Sequence, residues 1–146
     1  MGYHISVPNE IIKQIEERLQ IHEDSLEKDL IDNTLHENEF VRHLYDASDL
    51  VTDLEENFRK IKRERYLDYL TGNTGDPKVD NRALRAGQID LLLEGDQKIL
   101  TAAKKLAEAK NVVVFYENVL KAVKQKSMNI NSIIKFRRFM NGEIVD

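Results

Sequence analysis

From Phe40 onward, apolar side chains recur at Phe40, Leu44, Ala47, Val51, Leu54, Phe58 and Ile61, in steps of four and three residues. A seven-residue repeat keeps one stripe of a helix turned towards a partner helix, so it dictates coiled-coil-like packing. Little in the chain competes with helix. Proline occurs only at positions 8 and 77, and the long Pro-free stretches are rich in Glu, Lys, Leu and Ala. The one β-branched run, Asn111 to Tyr116, has strongly helical flanks and no strand to pair with elsewhere. The prediction is an all-α fold: one domain over residues 1–146, with long antiparallel helices, coiled-coil-like packing and a short C-terminal helix. The seam is satisfied equally by a helix of the same chain and by one of a second copy.

Local signals divide this chain into segments. A first helix starts near Pro8, carries Ile11, Ile12, Ile15, Leu19 and Ile21, and runs to about Ile31 with a break near His22. Asn33-Thr34 reads as a cap, and the seam helix follows over Leu35 to Leu70. Thr71-Gly-Asn-Thr-Gly-Asp-Pro77 has no apolar residue and two glycines, so an exposed loop is expected over 71–80. A long helix over Asn81 to Lys126 would bury Ile89, Leu92, Ile99, Ala103, Leu106, Ala109, Val113, Tyr116, Leu120 and Val123, with a kink or break near Gly95. Asp96 interrupts that face. Asn129 or Asn131 would cap the short last helix, Ser132 to Asn141, which Gly142 stops.

Two apolar surfaces exceed what one stripe needs. Val113 and Phe115 lie where the helix is apolar all round. Ile130, Ile133, Ile134, Phe136, Phe139 and Met140 crowd the last helix. Both are candidates for an interface between copies, and a helix that simply completes the core is the competing reading.

The charge is split along the chain. Residues 1–57 hold four Lys/Arg and fifteen Asp/Glu, net −11, and residues 58–146 hold eighteen and eleven, net +7, which together return the chain's −4. An acidic half facing protein or solvent and a basic half facing a polyanion fit that split. The positive charge is densest at Arg59, Lys60, Lys62, Arg63 and Arg65, followed at once by Tyr66 and Tyr69. Cations that meet phosphates, beside rings that stack on bases, suit sequence-tolerant binding of single strands. A solvated basic face at a helix end is the plainer alternative. Where the seam reaches Arg65, close packing is expected to end and the cluster to project. Lys124, Lys126, Lys135, Arg137 and Arg138 could widen the basic surface.

Several chemistries are excluded. There is no cysteine, hence no disulfide, thiolate nucleophile or cysteine-built zinc site. Gly72 and Gly75 lack the Gly-Lys-Ser/Thr of a phosphate loop. His36, Glu39 and His43 share a helical face but miss the metalloprotease spacing. No enzyme, cofactor or metal is expected, and no apolar run is long enough to cross a membrane.

Arg63-Glu-Arg-Tyr-Leu-Asp-Tyr-Leu-Thr-Gly72 resembles the midpoint of the UvsY family, the recombination mediator proteins of T-even-like bacteriophages. The likeness continues in order through Leu26 to Asp32, Asp96 to Leu100, Val114 to Lys121, and Ile130 to Gly142 with Ile133, Lys135, Arg138, Phe139 and Gly142. It covers about residues 24–142, and residues 1–23 look like an N-terminal extension. The resemblance implies a non-enzymatic helper of homologous recombination, acting in the cytoplasm of the infected bacterial host. Its partners would be single-stranded DNA, a RecA-like recombinase of the UvsX type, single-strand DNA-binding protein and further copies of itself, in a ring of about six to eight. The rival expectation is a helical coiled-coil adaptor with no DNA role.

Overall fold

The computed structural model describes residues 5–72 and 86–142. Its elements are α1 (Asn9–Arg18), a 3₁₀ turn (Glu23–Ser25), α2 (Leu26–Thr71), α3 (Ala86–Glu94) and α4 (Gln97–Met140), and no strand occurs among the described residues. Two compact units emerge, one around Ser48–Asn111 and one from Ser6–Ala47 with the chain after Val112. The helices α2 and α4 contribute to both.

In the unit that holds the N-terminal part of α2 and the C-terminal part of α4, α1 begins after Pro8, whose extended backbone (φ −60°, ψ 144°) and missing N–H suit a helix start. Its carbonyl accepts from the Ile11 and Ile12 amides. Ile15 enters a core with Phe40, Ala47, Tyr116, Val119 and Val123, flanked by Leu19, Leu44, Val112, Val113, Phe115 and Leu120. The α2 seam thus finds its partner within the chain here. Asn33 of α2 meets Val123 and Ser127 of α4, and His43 stacks on Tyr116. The rising α2 numbers against falling α4 numbers show the two running antiparallel.

The break in the N-terminal segment falls at 19–22, near His22 as expected, but the cap expected at Asn33-Thr34 does not exist. Asn33 is fully buried inside α2, and its Nδ2 donates to the Val123 carbonyl (2.7 Å) and to Ser127 Oγ (2.6 Å). Thr34 donates its hydroxyl to the Leu30 carbonyl one turn back. The Asn33 amide nitrogen is taken up by the neighbouring helix and the Thr34 hydroxyl by its own, so neither side chain turns back to cap a helix start. The expected short last helix is likewise absent, because α4 runs unbroken to Met140. Asn129 accepts from Gln125 one turn earlier, Ser132 donates to the Met128 carbonyl, and fully buried Ile130 anchors this stretch. Gly142, at φ 78°, follows the helix as its left-handed stop.

In the other unit, Tyr69, Ile89, Leu93 and Ile99 form a core, with Phe58, Ile61, Tyr66 and Leu92 packed against it. Ion pairs from Arg65 to Asp96 and from Lys110 to Glu55 again set α2 and α4 antiparallel. The break near Gly95 is present, since α3 ends at Glu94 and α4 starts at Gln97. Asn111 to Tyr116 is helical. Gly72, at φ 77°, terminates α2. The loop expected through Asp80 and the helix start expected at Asn81 lie outside the described residues.

Candidate nucleic-acid interface

The seam does not end at Arg65. The next two steps of four place Arg65 and Tyr69 on the inner face of α2, where the Arg65 side chain is 11% exposed and Tyr69 is 7% exposed. Both meet Asp96. This aspartate caps α4, its Oδ1 accepting from the Lys98 amide (3.0 Å) and the Ile99 amide (3.1 Å), two of the four donors a helix start leaves open. Its Oδ2 accepts from Arg65 Nε (2.8 Å) and from the Tyr69 hydroxyl (2.7 Å). Arg65 Nη1 also reaches Asp68 Oδ2 (3.1 Å), and the guanidinium lies over the Tyr69 ring.

The ionisation states follow from that arrangement. Burial works to raise the Asp96 pKa, but the hydrogen bonds from Tyr69, Arg65 and the Ile99 amide, with the Arg65 charge, hold it below the ordinary carboxylate value. Burial and the bond to Asp96 raise Tyr69, which stays a neutral donor. Arg65 is raised by Asp96 against the pull of burial. One carboxylate therefore bolts the C-terminal end of α2 to the start of α4.

With Arg65 and Tyr69 turned inward, the outward cations are Arg59, Lys60, Lys62 and Arg63, all exposed. Lys60 reaches Glu64 at 4.0 Å, a solvent-exposed pair of little energetic weight. No ion pair among the described residues holds Arg59, Lys62 or Arg63. Lys62 borders a cleft of about 300 Å³ with Phe58, Asp90 and Glu94. Tyr66 is half-buried against the core.

The remaining candidate cations belong to the other unit. Lys126 is buried, its Nζ donating to the Arg18 carbonyl at the end of α1 (2.6 Å). Lys124, Lys135, Arg137 and Arg138 are exposed, and Arg137 donates to the Glu23 carbonyl (2.9 Å). Of the residues expected at an interface between copies, Ile130 is fully buried, and Val113 and Phe115 pack against the core around Phe40, Tyr116 and Val123. Ile133 and Ile134 are half-buried, while Phe136, Phe139 and Met140 are 63–69% exposed. Glu39 lies 3.6 Å from His43 and 2.7 Å from Arg18. Among the described residues no group of three or more His, Asp or Glu could hold a metal ion.

The profile of the family described as "Recombination, repair and ssDNA binding protein UvsY" matches residues 14–143. This chain belongs to the UvsY family. Crystal structures of the bacteriophage T4 recombination mediator protein UvsY share its fold. The lattice type II form has a TM-score of 0.77 at 17% identity, over 93% of this chain and 98% of that one. Lattice types IV and I each give 0.75 at 16% identity, over 90% of this chain and 97% or 98% of theirs. No curated protein sequence matches the chain significantly. Among the described residues no helix is long and apolar enough to cross a membrane.

Sequence reasoning missed Asp96 in this UvsY-family chain, reading it as a gap in an apolar face. The signal was present: an Asp directly after Gly95, two and three residues before amides that open a helix, is an N-cap pattern.

Proposed function

We propose that the chain is a non-enzymatic recombination mediator. It binds single-stranded DNA and promotes loading of a UvsX-type, RecA-like recombinase onto DNA covered by single-strand DNA-binding protein, in phage recombination and repair. The observation that carries this reading is the Arg59–Arg63 face, where four exposed cations fall within five positions on a helix end bolted in place by buried Asp96, in a member of the UvsY family. Arg59, Lys60, Lys62 and Arg63 meet phosphates and release counterions. Tyr66 has surface left to stack on a base, whereas Arg65 and Tyr69 act from inside by holding the face. Lys124, Lys135, Arg137 and Arg138 are secondary contacts. Self-association through Phe136, Phe139 and Met140 into a closed ring multiplies weak contacts by effective concentration. The bound strand then bends, loosening the resident binding protein. The acidic N-terminal half faces the protein partners.

Fluorescence anisotropy of a labelled single-stranded oligonucleotide, at two salt concentrations and against a duplex, tests the reading. Salt-sensitive binding that prefers the single strand is expected. Lys62→Ala with Arg63→Ala should weaken it and flatten the slope of log K against log salt by about 1.4, two phosphate contacts' worth for a single strand. Absence of binding at low salt would refute the proposal and favour an adaptor role.

A further inference from the structure

We propose that the groove between Asn57–Asp68 of α2 and Gln97–Lys105 of α4 is a second track for the strand, with Lys98 and Lys105 contacting phosphates. This inference rests on the single-strand-binding reading above and adds contacts in the first turns of α4, where that reading assigned none.

The groove measures about 360 Å³ and lies in the same unit as the Arg59–Arg63 face. Its floor is apolar, through Ile61 and Ala102. Its acids are already engaged, Glu64 with Lys60 and Asp68 with Arg65. Its α4 rim carries Lys98 and Lys105, and neither ammonium has an ion-pair partner among the described residues. Arg65 also serves Asp96, so Glu64, Asp68 and Asp96 stand against Lys60, Arg65, Lys98 and Lys105, a surplus of one positive charge, and the two unpaired cations sit opposite α2. Lys60, one turn from Glu64, reaches that carboxylate at 4.0 Å without itself lining the groove. A channel with free cations along one edge and an apolar floor matches a strand whose phosphates and base faces are both accessible. A duplex hides those faces in its stack.

The spacing agrees. Seven residues separate Lys98 from Lys105, a rise of about 10 Å along a helix. At the roughly 3.4 Å per nucleotide of a stacked strand, that spans about three nucleotides. Asn57, Gln97 and Thr101 line the groove between the rims and offer hydrogen bonds that suit any base edge, consistent with sequence-tolerant binding.

The test uses the full chain, with anisotropy titrations of a labelled oligothymidylate at several salt concentrations. Four variants are compared: Lys98→Ala with Lys105→Ala, Lys98→Arg with Lys105→Arg, Lys62→Ala with Arg63→Ala, and a charge-matched control, Lys104→Ala with Lys121→Ala, neither of which lines the groove. The groove alanines should lower affinity several-fold and reduce the salt slope by about 1.4, while the arginine pair and the control stay near wild type. Wild-type affinity and slope in the groove alanine variant would overturn the inference. So would an equal loss in the control, which would make the effect one of net charge alone. If the Lys62/Arg63 variant weakens binding and the groove variant does not, only the second track falls. If the wild-type chain does not bind at all, the proposed function falls with it.

Discussion

Asp96 accepts four hydrogen bonds on one buried carboxylate, and its removal strands Arg65, Tyr69 and the first turn of α4 together. Taking one partner from a buried ion pair costs about 3–5 kcal/mol, so Asp96→Ala should lower the free energy of urea unfolding by that order. Asp96→Asn keeps an acceptor for the helix start and should lose clearly less. Equal losses would mean that the cap contributes nothing beyond the charge. A second residue-scale effect concerns pH. Burial, then the charges of Arg18 and Lys126, lower the His36 pKa against Asp32 and Glu39. A histidine depressed in the fold is protonated first in the unfolded chain, so stability is full above about pH 6.5 and falls as pH drops towards the folded value. The urea midpoint should decline from pH 6.5 downwards, and more shallowly in His36→Gln. Asp29, pushed up by burial but held low by the His22 amide and ring and the Lys126 charge, joins Asp96 in a separate step. Their contribution is whole above about pH 4 and is lost as pH falls through their lower folded values. The sequence hid this residue-scale design because an apolar repeat registers what is hydrophobic. Arg65, Tyr69 and Asp96 occupy seam positions by satisfying one another.

At the scale of the element, α4 carries two faces in its last four turns. Ile130 is fully buried while Phe136, two turns on, is 63% exposed. Ile130→Ala should therefore cost about 2–5 kcal/mol, and Phe136→Ala should fall within about 0.5 kcal/mol of wild type, both by urea denaturation. A large loss at Phe136 would place that ring in a core or in a contact between copies that is coupled to folding. The helical class, the α2 seam and the break at Gly95 were legible because repeated spacing and a glycine act locally. The ends of α2 and α4 were misplaced at Asn33 and at Asn129–Asn131 because asparagine signals a cap only when its side chain turns back on its own backbone. Here Asn33 bonds across to α4 and Asn129 to Gln125. Such partners are not inferable from neighbours in sequence. The outward cations of the candidate site could be read directly, while the two inward members could not be told from them by residue type.

At the scale of the whole molecule, a net charge of −4 conceals an acidic first half and a basic second half. The proposed mediator depends on more than one copy meeting the same strand. The exposed apolar residues at the end of α4 connect these points, because a solvent-facing Phe136, Phe139 and Met140 leave apolar surface that a second copy can cover. Phe136→Asp with Phe139→Asp should lower the mass measured by sedimentation while preserving the helical circular dichroism, since neither ring belongs to a core cluster. Affinity for a long single strand should fall with the mass. Joined binding modules exceed each module's own affinity by about 10²–10⁴-fold through effective concentration alone, whereas affinity for an oligonucleotide that reaches only one copy should change little. An unaltered mass would place the interface elsewhere. A reduced mass with unaltered long-strand affinity would show that each copy binds alone, and would remove the ring from the mechanism while leaving the Arg59–Arg63 face in place.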